Sequence, residues 1–525
     1  KGDGGVESRH WNRVGFGDGF RVVKHPTKNI IYSEMQGAEN VWRYNLDTKE
    51  IVTVQPLPVK GDPKLRFNWN APILTSLHQP DRFFVGSQFL HKSEDMGKTW
   101  TKISPDLTTN NKAKQNQENS GGLSKENSGA ENHCTIFTVA ESPKNEKIIW
   151  AGTDDGNVQV TQNGGQTWNN VTANIPNLPK NTWVHHIEAS AFAEGTAYAV
   201  FDGHNTGDYN TYVYKTKDFG KTWTSISTPD IKGFARNLQE DFKNEELLFL
   251  GTEKGLYITI DGGKNWSHFT NNMPNVAVHY IDLHPKTNDL VMATHGRGII
   301  ILDDISVLRQ ITPEVLAKDV HFFDTSDAMM EEKSSYGGNA SELEFVGDNP
   351  STDAKIVYYL KKRHVLGKMD LEVQDMNGKK ITSLNAGKQK GINVVDWNFT
   401  TKTPKIAAAK TLAYGGFTPL RVSAGTYKIV MTKGKDVYAK NIVVKNDPKS
   451  KITLEDRKQQ ANLAQTLFDM NENLAYKVYE LDETLKTLDE LEKKDKSFTK
   501  IKNDFQKQKE KMVITTGDNY VGSAE

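Results

Sequence analysis

Apolar and polar residues alternate in short runs along the first part of the chain, which is the pattern of half-buried β-strands. The clearest stretch has predicted strands at 135–140, 148–152, 157–161 and 167–171. Asp154-Asp155-Gly156 supplies turn residues between the second and third of these runs. Four short strands separated by turns predict one four-stranded antiparallel sheet.

An eight-residue motif, Ser/Thr-x-Asp-x-Gly-x-Thr-Trp, occurs four times in the same region. The four copies begin at Ser93, Thr161, Thr216 and Thr259. Around each copy the order of predicted strands is the same, and the motif falls in the turn between the third and fourth strands. A repeat at roughly 40 to 70 residues is typical of architectures built by radial repetition. The pattern therefore predicts a mainly β protein with a β-propeller of four-stranded blades.

The third and eighth positions of the motif are predicted to be structural. An oxygen at the third position can accept backbone N–H groups of the turn, glycine permits a positive φ, and tryptophan can fill the gap to the adjacent sheet. Asn163 can make the same bonds without charge, which favours this role. The residues assigned to it are Asp95, Asn163, Asp218, Asp261, Trp100, Trp168, Trp223 and Trp266.

About six blades fit between Val14 and Asp304. Propellers close with about 4 to 8 blades, so we expect six to seven, the strands of a seventh lying N-terminal to Lys1. The polar, glycine-rich segment 108–132 predicts a mobile loop between blades.

The repeat pattern stops after Ile305. Several short predicted strands, with Asn377-Gly378 as a hairpin turn, then favour a β-sandwich of immunoglobulin-like size. Thr453-x-x-Asp456 is a capping-box start, and the apolar residues that follow at three- and four-residue steps predict a long amphipathic helix with a second helix folding back on it. The predicted domains are a propeller at 1–310, a sandwich at 311–448 and a helical tail at 449–525.

Composition excludes several classes of function. Lys+Arg and Asp+Glu are equal at 66 each, so no global field favours nucleic acid as a partner. The single cysteine, Cys134, rules out a disulfide within the chain and lies in an apolar run that predicts a packed thiol. No run of apolar residues is long enough to span a bilayer. The start at Lys1, without Met, fits a processed or partial chain, and we expect no cofactor.

The four motifs resemble the Asp-box repeats of sialidases, xyloglucanase-type glycosidases and the sortilin ectodomain. Further runs are similar to a family of secreted bacterial proteins labelled sortilin-N-terminal-like or "glycosyl hydrolase". These runs are Phe67-Asn-Trp-Asn-Ala-Pro72, Ser104-Pro-Asp-Leu-Thr108, Ala140-Glu-Ser-Pro143, Gly152-Thr-Asp-Asp-Gly-Asn-Val158 and Ala293-Thr-His-Gly-Arg-Gly298. The missing Arg-Ile-Pro motif argues against a sialidase.

This resemblance implies a protein that is secreted, periplasmic or on the outer surface of a bacterium. Such relatives carry two propellers, so we expect this chain to correspond to a C-terminal half. Its partner would then be the N-terminal half of the same precursor or an envelope protein. The sandwich, with Asn377-Gly378-Lys379 and Gly425-Thr-Tyr427, is similar to a domain of flagellar hook-cap proteins.

A candidate site follows from blade geometry. If the Asp-box turns lie on one propeller face, the turns between second and third strands and the entries into first strands lie on the other. Ligands of propellers tend to bind over the channel on such a face. The residues collected there are Asn68, Trp69, Asn70, His133, Asp154, Asp155, Trp183, His185, His186, Glu253, Lys254, His295 and Arg297.

Two functions remain open for this face. A glycoside hydrolase needs two carboxylates about 5 to 9.5 Å apart, for which Asp154 or Asp155 with Glu253 are the candidates, although Asp155-Gly156 is also an ordinary turn pair. A binding surface for a glycan or an extended peptide would instead use aromatic platforms and cations. Its candidate residues are Trp69, Trp183, His185, His295 and Arg297.

A metal site is not predicted. His133, His185 and His186 lack the usual ligand spacings, and neighbouring residues of a strand point to opposite faces, so His185 and His186 are not expected to share an ion. The sequence favours a binding or scaffold protein, with a glycoside hydrolase as the alternative.

Overall fold

The computed structural model describes residues 10–11, 13–116, 132–331, 351–408 and 419–513, and the backbone of 6–7 and 346–347. The chain forms two compact units, one of Trp11–Ile311 and one of Lys1–His10 with Thr312–Glu525. Residues 117–131 of the predicted mobile loop lie outside the described residues.

The first unit contains six antiparallel sheets in chain order, which we call blades 1 to 6. Blade 1 comprises Gly19–Lys24, Ile30–Met35, Val41–Asn45 and Ile51–Thr53; blade 2 comprises Ile73–Thr75, Phe83–Gly86, Leu90–Ser93 and Thr101–Lys102; blade 3 comprises Ile136–Ser142, Asn145–Thr153, Val158–Thr161 and Asn169–Asn170.

Blade 4 comprises Trp183–Ala189, Ala197–Asp202, Tyr212–Thr216 and Thr224–Ser225; blade 5 comprises Ala235–Glu240, Leu248–Thr252, Gly255–Thr259 and Ser267–His268; blade 6 comprises Val278–Leu283, Leu290–Thr294 and Ile299–Leu302. Blades 1 to 5 thus have the predicted four strands, whereas blade 6 has three among the described residues.

Neighbouring blades pack face to face through separate apolar clusters. Between blades 1 and 2, for example, the rings of Tyr32 and Phe83 stack with centroids 4.3 Å apart, and both side chains are buried. Equivalent clusters lie at each of the next four junctions, up to that between blades 5 and 6. Burial of these faces stabilises the blades against one another.

In each copy of the Asp-box, the side-chain oxygen at the third position accepts the backbone N–H four residues further on. In blade 2, Asp95 Oδ1 accepts the Thr99 N–H at 2.9 Å and Asp95 Oδ2 accepts the Thr99 hydroxyl at 2.7 Å. Trp100 Nε1 donates to the Val54 carbonyl at 2.8 Å, which joins blade 2 to blade 1. Asn163 Oδ1 accepts the N–H of its own copy at 3.0 Å, so the amide forms the turn as the carboxylate does.

The second unit contains two sheets with a common core that includes the buried Trp397. One sheet has strands Val320–Phe322, Ala354–Leu360 and Gly391–Trp397; the other has Ala328–Met330, Asp436–Asn446, Gly425–Lys433, Met369–Gln374 and Lys380–Leu384. A short pair joins Val6–Glu7 and Val346–Gly347.

Helices in this unit span Pro313–Ala317, Leu454–Lys494 and Thr499–Met512. The predicted capping box is confirmed, because the Thr453 hydroxyl accepts the Asp456 N–H at 3.1 Å and the Asp456 side chain accepts in return from Thr453. Among the described residues, no helix combines the length and apolar character that crossing a membrane requires.

Candidate functional site

A cavity of about 920 Å³ lies where the first strands of the blades converge. Its lining includes residues of all six blades, among them Arg21 of blade 1, Phe137 of blade 3 and Arg236 of blade 5. We call it the channel cavity. Concave sites of this size are typical of small-molecule and peptide recognition.

A β-bulge in the first strand of five blades places an additional residue at this cavity. The pairing with the second strand shifts between Gly19 and Val22, Ile136 and Thr138, Val184 and His186, Ala235 and Asn237, and Val278 and Tyr280. The shift in blade 1 contains Phe20 and Arg21, and each of the others contains one residue. We call the residue directly before the second pair of each shift the bulge residue, and all five line the channel cavity: Arg21, Phe137, His185, Arg236 and His279. A bulge redirects a side chain out of the regular alternation and is common beside functional sites.

Four bulge residues contact one another in sequence across the cavity. The Arg21 guanidinium lies 5.4 Å from the centroid of the Phe137 ring, and its Nη2 donates to the Phe137 carbonyl at 3.2 Å. The Phe137 and His185 rings are 5.0 Å apart. Arg236 Nη1 donates to His185 Nε2 at 3.1 Å, and His185 Nδ1 donates to the Arg236 carbonyl at 2.6 Å. Blades 1, 3, 4 and 5 are therefore tied together at the cavity wall.

Two imidazoles of this wall, those of His185 and His279, are held neutral. Burial, with the charge of Arg236 as a second cause, lowers the pKa of His185 well below its usual value. Burial also lowers the pKa of His279 to about 4, assisted by Arg236 and by His295, whose ring lies 5.3 Å away. At neutral pH both rings therefore serve as uncharged hydrogen-bonding surfaces.

The carboxylate of Asp202 lies close to the positive charge of Arg236. Asp202 Oδ2 lies 3.6 Å from Arg236 Nη1, and Asp202 Oδ1 is 2.7 Å from His204 Nδ1. The ring of His204 stacks on Phe234 at 4.6 Å. Asp202 and His204 both line the channel cavity, so charged and aromatic groups alternate along this side.

Three nitrogen atoms of cavity-lining side chains have no hydrogen-bond partner within the described residues. They are Trp183 Nε1, His186 Nε2 and Arg236 Nε, and all three are buried. A buried polar atom without a partner costs roughly 1 to 3 kcal/mol. Of the three, His186 Nε2 lies 3.6 Å from Glu188 Oε2, so Trp183 Nε1 and Arg236 Nε are the polar atoms beside this cavity that the described residues leave unsatisfied.

The structure brings together part of the predicted site. Trp69, Trp183, His185 and His295 line the channel cavity, together with Asn68, Asn70 and His186. The other predicted residues are not among its lining, namely His133, Asp154, Asp155, Glu253, Lys254 and Arg297.

His185 and His186, expected on opposite faces of a strand, lie where the regular strand pairing is interrupted. Both line the channel cavity, because the pairing shift between Val184 and His186 removes the strict alternation at this point. Even so, the residues that the structure describes contain no cluster of three or more His, Cys, Asp or Glu arranged to hold a metal ion.

The three predicted catalytic carboxylates are engaged by neighbouring groups. Asp154 accepts the Thr135 N–H at 2.9 Å and the Thr135 hydroxyl at 2.7 Å, and Asp155 accepts from the Thr109 N–H at 2.8 Å. Glu253 pairs with Lys254 at 3.2 Å. Burial raises the pKa of Asp154, an effect that the nearby His133 opposes.

Arg21, Asp202, His204, Arg236, His279 and Tyr280 line the cavity without having been predicted from the sequence. A signal for some of them exists in the repeat itself. When the first strands are superposed by their bulges, Arg21, Phe137, His185, Arg236 and His279 occupy one position. A blade-by-blade alignment would therefore show a large polar or aromatic residue at the same place in five blades.

Comparison with known proteins gives a family match over part of the chain. A family model described as "Sortilin-Vps10: Sortilin, neurotensin receptor 3" matches residues 211–364. No curated protein sequence matches. The resemblance of the sandwich to flagellar hook-cap domains stays a prediction.

Several solved structures are similar at low identity. The xyloglucanase of Xanthomonas campestris is 16% identical, with 57% of this chain and 53% of that chain covered and a TM-score of 0.38. PorZ, a surface component of the type-IX secretion system of Porphyromonas gingivalis, is 15% identical, with 83% and 61% covered and a TM-score of 0.38. YCF48 of Cyanidioschyzon merolae is 12% identical, with 52% and 79% covered and a TM-score of 0.35.

The chain spans about half the length of the xyloglucanase. Its own sheets decide the fold, because five four-stranded blades and one three-stranded blade follow each other in chain order with Asp-box turns between third and fourth strands. The chain is a mainly β protein with a propeller of Asp-box blades, similar over residues 211–364 to the sortilin family.

Proposed function

We propose that the chain is a binding or scaffold protein, secreted or in the bacterial cell envelope, which holds a glycan or an extended protein segment in the channel cavity. The observation that carries this proposal is the repeated bulge, which directs arginine, histidine and aromatic side chains from five blades into one cavity. A purely structural bulge would not need a large polar or aromatic side chain at this position in each of blades 1, 3, 4, 5 and 6.

The chemistry of the lining fits ligands with flat apolar faces and many oxygens. Trp69 and Trp183 offer rings for sugar or apolar side-chain contacts. Trp183 Nε1 and Arg236 Nε are buried nitrogens without hydrogen-bond partners among the described residues, which suit hydroxyl, carbonyl or carboxylate oxygens, whereas His186 Nε2 lies 3.6 Å from Glu188 Oε2. His295 lines the cavity beside them, and Arg297 is proposed to approach a ligand carboxylate from the neighbouring turn. A protein segment would come from the N-terminal half of a common precursor or from an envelope protein.

The test is binding of the full chain to arrays of oligosaccharides and of extended peptides. A Trp183→Phe and Arg236→Lys double variant removes two unpartnered nitrogens while keeping a ring and a cation. We expect its affinity for the positive probes to fall about 5- to 30-fold, at roughly 1 kcal/mol for each hydrogen bond. Unchanged affinity would remove the channel cavity as the binding site.

Trp223→Phe is the matched control for this experiment. Trp223 Nε1 is also buried without a partner, but Trp223 packs in the cluster between blades 3 and 4 and does not line the channel cavity. This variant should bind as the wild type does. A comparable loss in both variants would point to a general effect on folding.

A glycoside hydrolase is the second candidate, since burial raises the pKa of Asp154, as a general acid requires. In this case Asp154 or Asp155 with Glu253 would carry the reaction. Mass spectrometry of oligosaccharides released from a polysaccharide panel tests it, with an Asp155→Asn and Glu253→Gln variant that still unfolds cooperatively. Release that is lost in the variant would establish hydrolysis, and no release by either protein would leave the binding function.

A further inference from the structure

Within the first unit, no described blade packs against one face of blade 6. Its opposite face packs against blade 5 through a buried apolar cluster. On the uncovered face, Tyr280 is 46%, Ile299 58% and Ile301 55% exposed. Val291 and Ala293 belong to the same face, because Ala293 pairs with Tyr280 and Ile299 while Val291 pairs with Ile301. We call these five residues the blade 6 face.

The complete blades show what covers the equivalent surface. The third strands of blades 3 and 5, Val158–Thr161 and Gly255–Thr259, are buried at every residue. The third strand of blade 6, Ile299–Leu302, alternates between exposed and half-buried residues. Blades 3 and 5 are each followed by a further blade, so the exposure of blade 6 corresponds to a missing neighbour.

Blade 1 provides a second bare surface. Phe20 is 48% and Val22 59% exposed in its first strand. Phe20 and Val22 line the channel cavity together with Val291 and Ile299 of the blade 6 face. The two surfaces are therefore the walls of one opening, which we call the seam, and the seam is continuous with the cavity.

The seam also has an unpaired sheet edge. In blades 1 to 5 the third strand pairs with a fourth, whereas Ile299–Leu302 pairs with Leu290–Thr294 alone among the described strands. A free edge presents a row of N–H and C=O groups at the spacing of another backbone. An extended polypeptide satisfies such a row, and a saccharide does not.

The size and charge of the seam define the occupant further. The blade 6 face has five apolar side chains, whereas a standard interface between globular proteins has about 20 to 30 residues a side. A second folded copy is therefore too large a partner for it, but a β-hairpin that continues the sheet of blade 6 from its free edge matches it in size. Asp282 lies on one wall and Lys24 on the other, both exposed, so an occupant with a cation and an anion on opposite faces would complement them.

We propose that the seam is a docking site for a polypeptide segment that forms a β-hairpin, pairs with the edge of Ile299–Leu302 as an added strand of blade 6, and places alternating apolar side chains beside the blade 6 face, on the side that faces the seam. The seam shares Phe20, Val22, Tyr280, Val291 and Ile299 with the lining of the channel cavity but includes none of the side chains proposed above to contact a ligand, so the seam substitutions and the Trp183→Phe and Arg236→Lys variant test separate proposals.

The probe is a labelled synthetic peptide with the sequence of residues 255–270, which is the third strand, Asp-box turn and fourth strand of blade 5. Fluorescence anisotropy follows its binding to the full chain. We expect saturable binding that weakens at least 10-fold in an Ile299→Lys and Ile301→Lys variant. A Leu57→Lys and Val59→Lys variant is the matched control, because these side chains are 72% and 69% exposed and do not line the seam.

The proposal is overturned if the wild type does not bind the peptide more tightly than a scrambled peptide, or if the seam variant binds as tightly as the wild type. Hydrogen exchange on the wild type decides the matter if the lysine variant does not fold: the peptide should slow exchange of the Ile299–Leu302 amides, and unchanged exchange would refute the pairing. Light scattering that finds a dimer of the full chain, dissociated by the seam substitutions, would assign the seam to a second copy instead.

Discussion

Gly165, in the Asp-box turn of blade 3, lies in close contact with the preceding blade. Its φ is 97°, and an added Cβ would lie 2.5 Å from the carbonyl oxygen of Ile103 in blade 2. The adjacent Gly164 also has a positive φ, 71°, but a Cβ there would meet nothing within 4 Å. A substitution at Gly164 would therefore add backbone strain alone, whereas one at Gly165 would also add a clash with the neighbouring backbone.

We predict that Gly165→Ala lowers the free energy of unfolding by about 3 kcal/mol or more, because it adds a backbone clash to the positive-φ strain. Gly164→Ala, which adds the strain alone, should cost about 1 to 2 kcal/mol. Urea unfolding followed by tryptophan fluorescence measures both. Equal losses would mean that the contact with Ile103 does not limit the packing of blades 2 and 3.

Glu34 should make stability depend on pH. Burial raises the pKa of this carboxyl to about 8, against 4.5 in an exposed glutamate, while the N–H and charge of Arg21 oppose the shift. At a pH between these two pKa values, the Glu34 carboxyl is protonated in the folded chain and ionised in the unfolded chain. The free energy of unfolding should therefore fall as the pH rises from 4.5 to 8, by roughly 3 to 5 kcal/mol at most.

A Glu34→Gln variant keeps the shape of this side chain and removes its titration. Its free energy of unfolding should exceed that of the wild type by an amount that grows with pH across the same interval. Glu39→Gln is the control, because Glu39 is exposed and lies after the end of the strand that carries Glu34. Parallel pH profiles for the wild type and Glu34→Gln would contradict the prediction.

At the scale of elements, the Asp-box tryptophans tie each blade to the one before it. Trp168 Nε1 donates to the Ile103 carbonyl of blade 2 at 3.0 Å, and Trp266 Nε1 donates to the Ile226 carbonyl of blade 4 at 2.8 Å. Trp223 occupies the same motif position, but its Nε1 has no hydrogen-bond partner within the described residues. The motif thus fixes where the ring lies, and the neighbouring blade decides whether the nitrogen is bonded.

Trp168→Phe should destabilise the chain by about 1 kcal/mol more than Trp223→Phe. Both changes remove the same part of the indole, but only the first leaves a carbonyl without its donor. Thermal unfolding of the two variants beside the wild type is the measurement. If Trp223→Phe proved the more costly, the indole hydrogen bond would not be what holds adjacent blades together.

The sequence predicted the elements better than it predicted the side chains that line the cavity. The four predicted strands of the 135–172 region are present as Ile136–Ser142, Asn145–Thr153, Val158–Thr161 and Asn169–Asn170. Arg236 and His279 were missed because strand alternation assumes regular pairing, and a bulge adds one residue that the pattern does not reveal.

At the scale of the whole molecule, the two units have separate cores. The core of the second unit contains residues from Val320 to Val444 only, including Trp397, and the clusters between blades contain residues of the first unit only. A core of its own is what allows a domain to fold alone.

A fragment of residues 312–525 lacks the short strand Val6–Glu7 of this unit but contains its entire core, so it should fold without the propeller unit. We expect a single cooperative thermal transition with circular dichroism of a mixed β and helical protein. Trp397→Ala, which removes a fully buried ring, should abolish or strongly lower that transition. A fragment that shows no transition would mean that its core requires the rest of the chain.

The sequence by itself determined the local structure of this protein. The Asp-box turns, the four-stranded blades and the capped helix at Thr453 depend on residues close together in the chain, so that turn chemistry, alternation and side-chain capping specify them. Only the tertiary structure decided which side chains meet. The contacts of Arg21 with Phe137 and of His185 with Arg236, and the bare seam at Ile299 and Ile301, depend on bulges and on packing between blades distant in sequence, which no local pattern encodes.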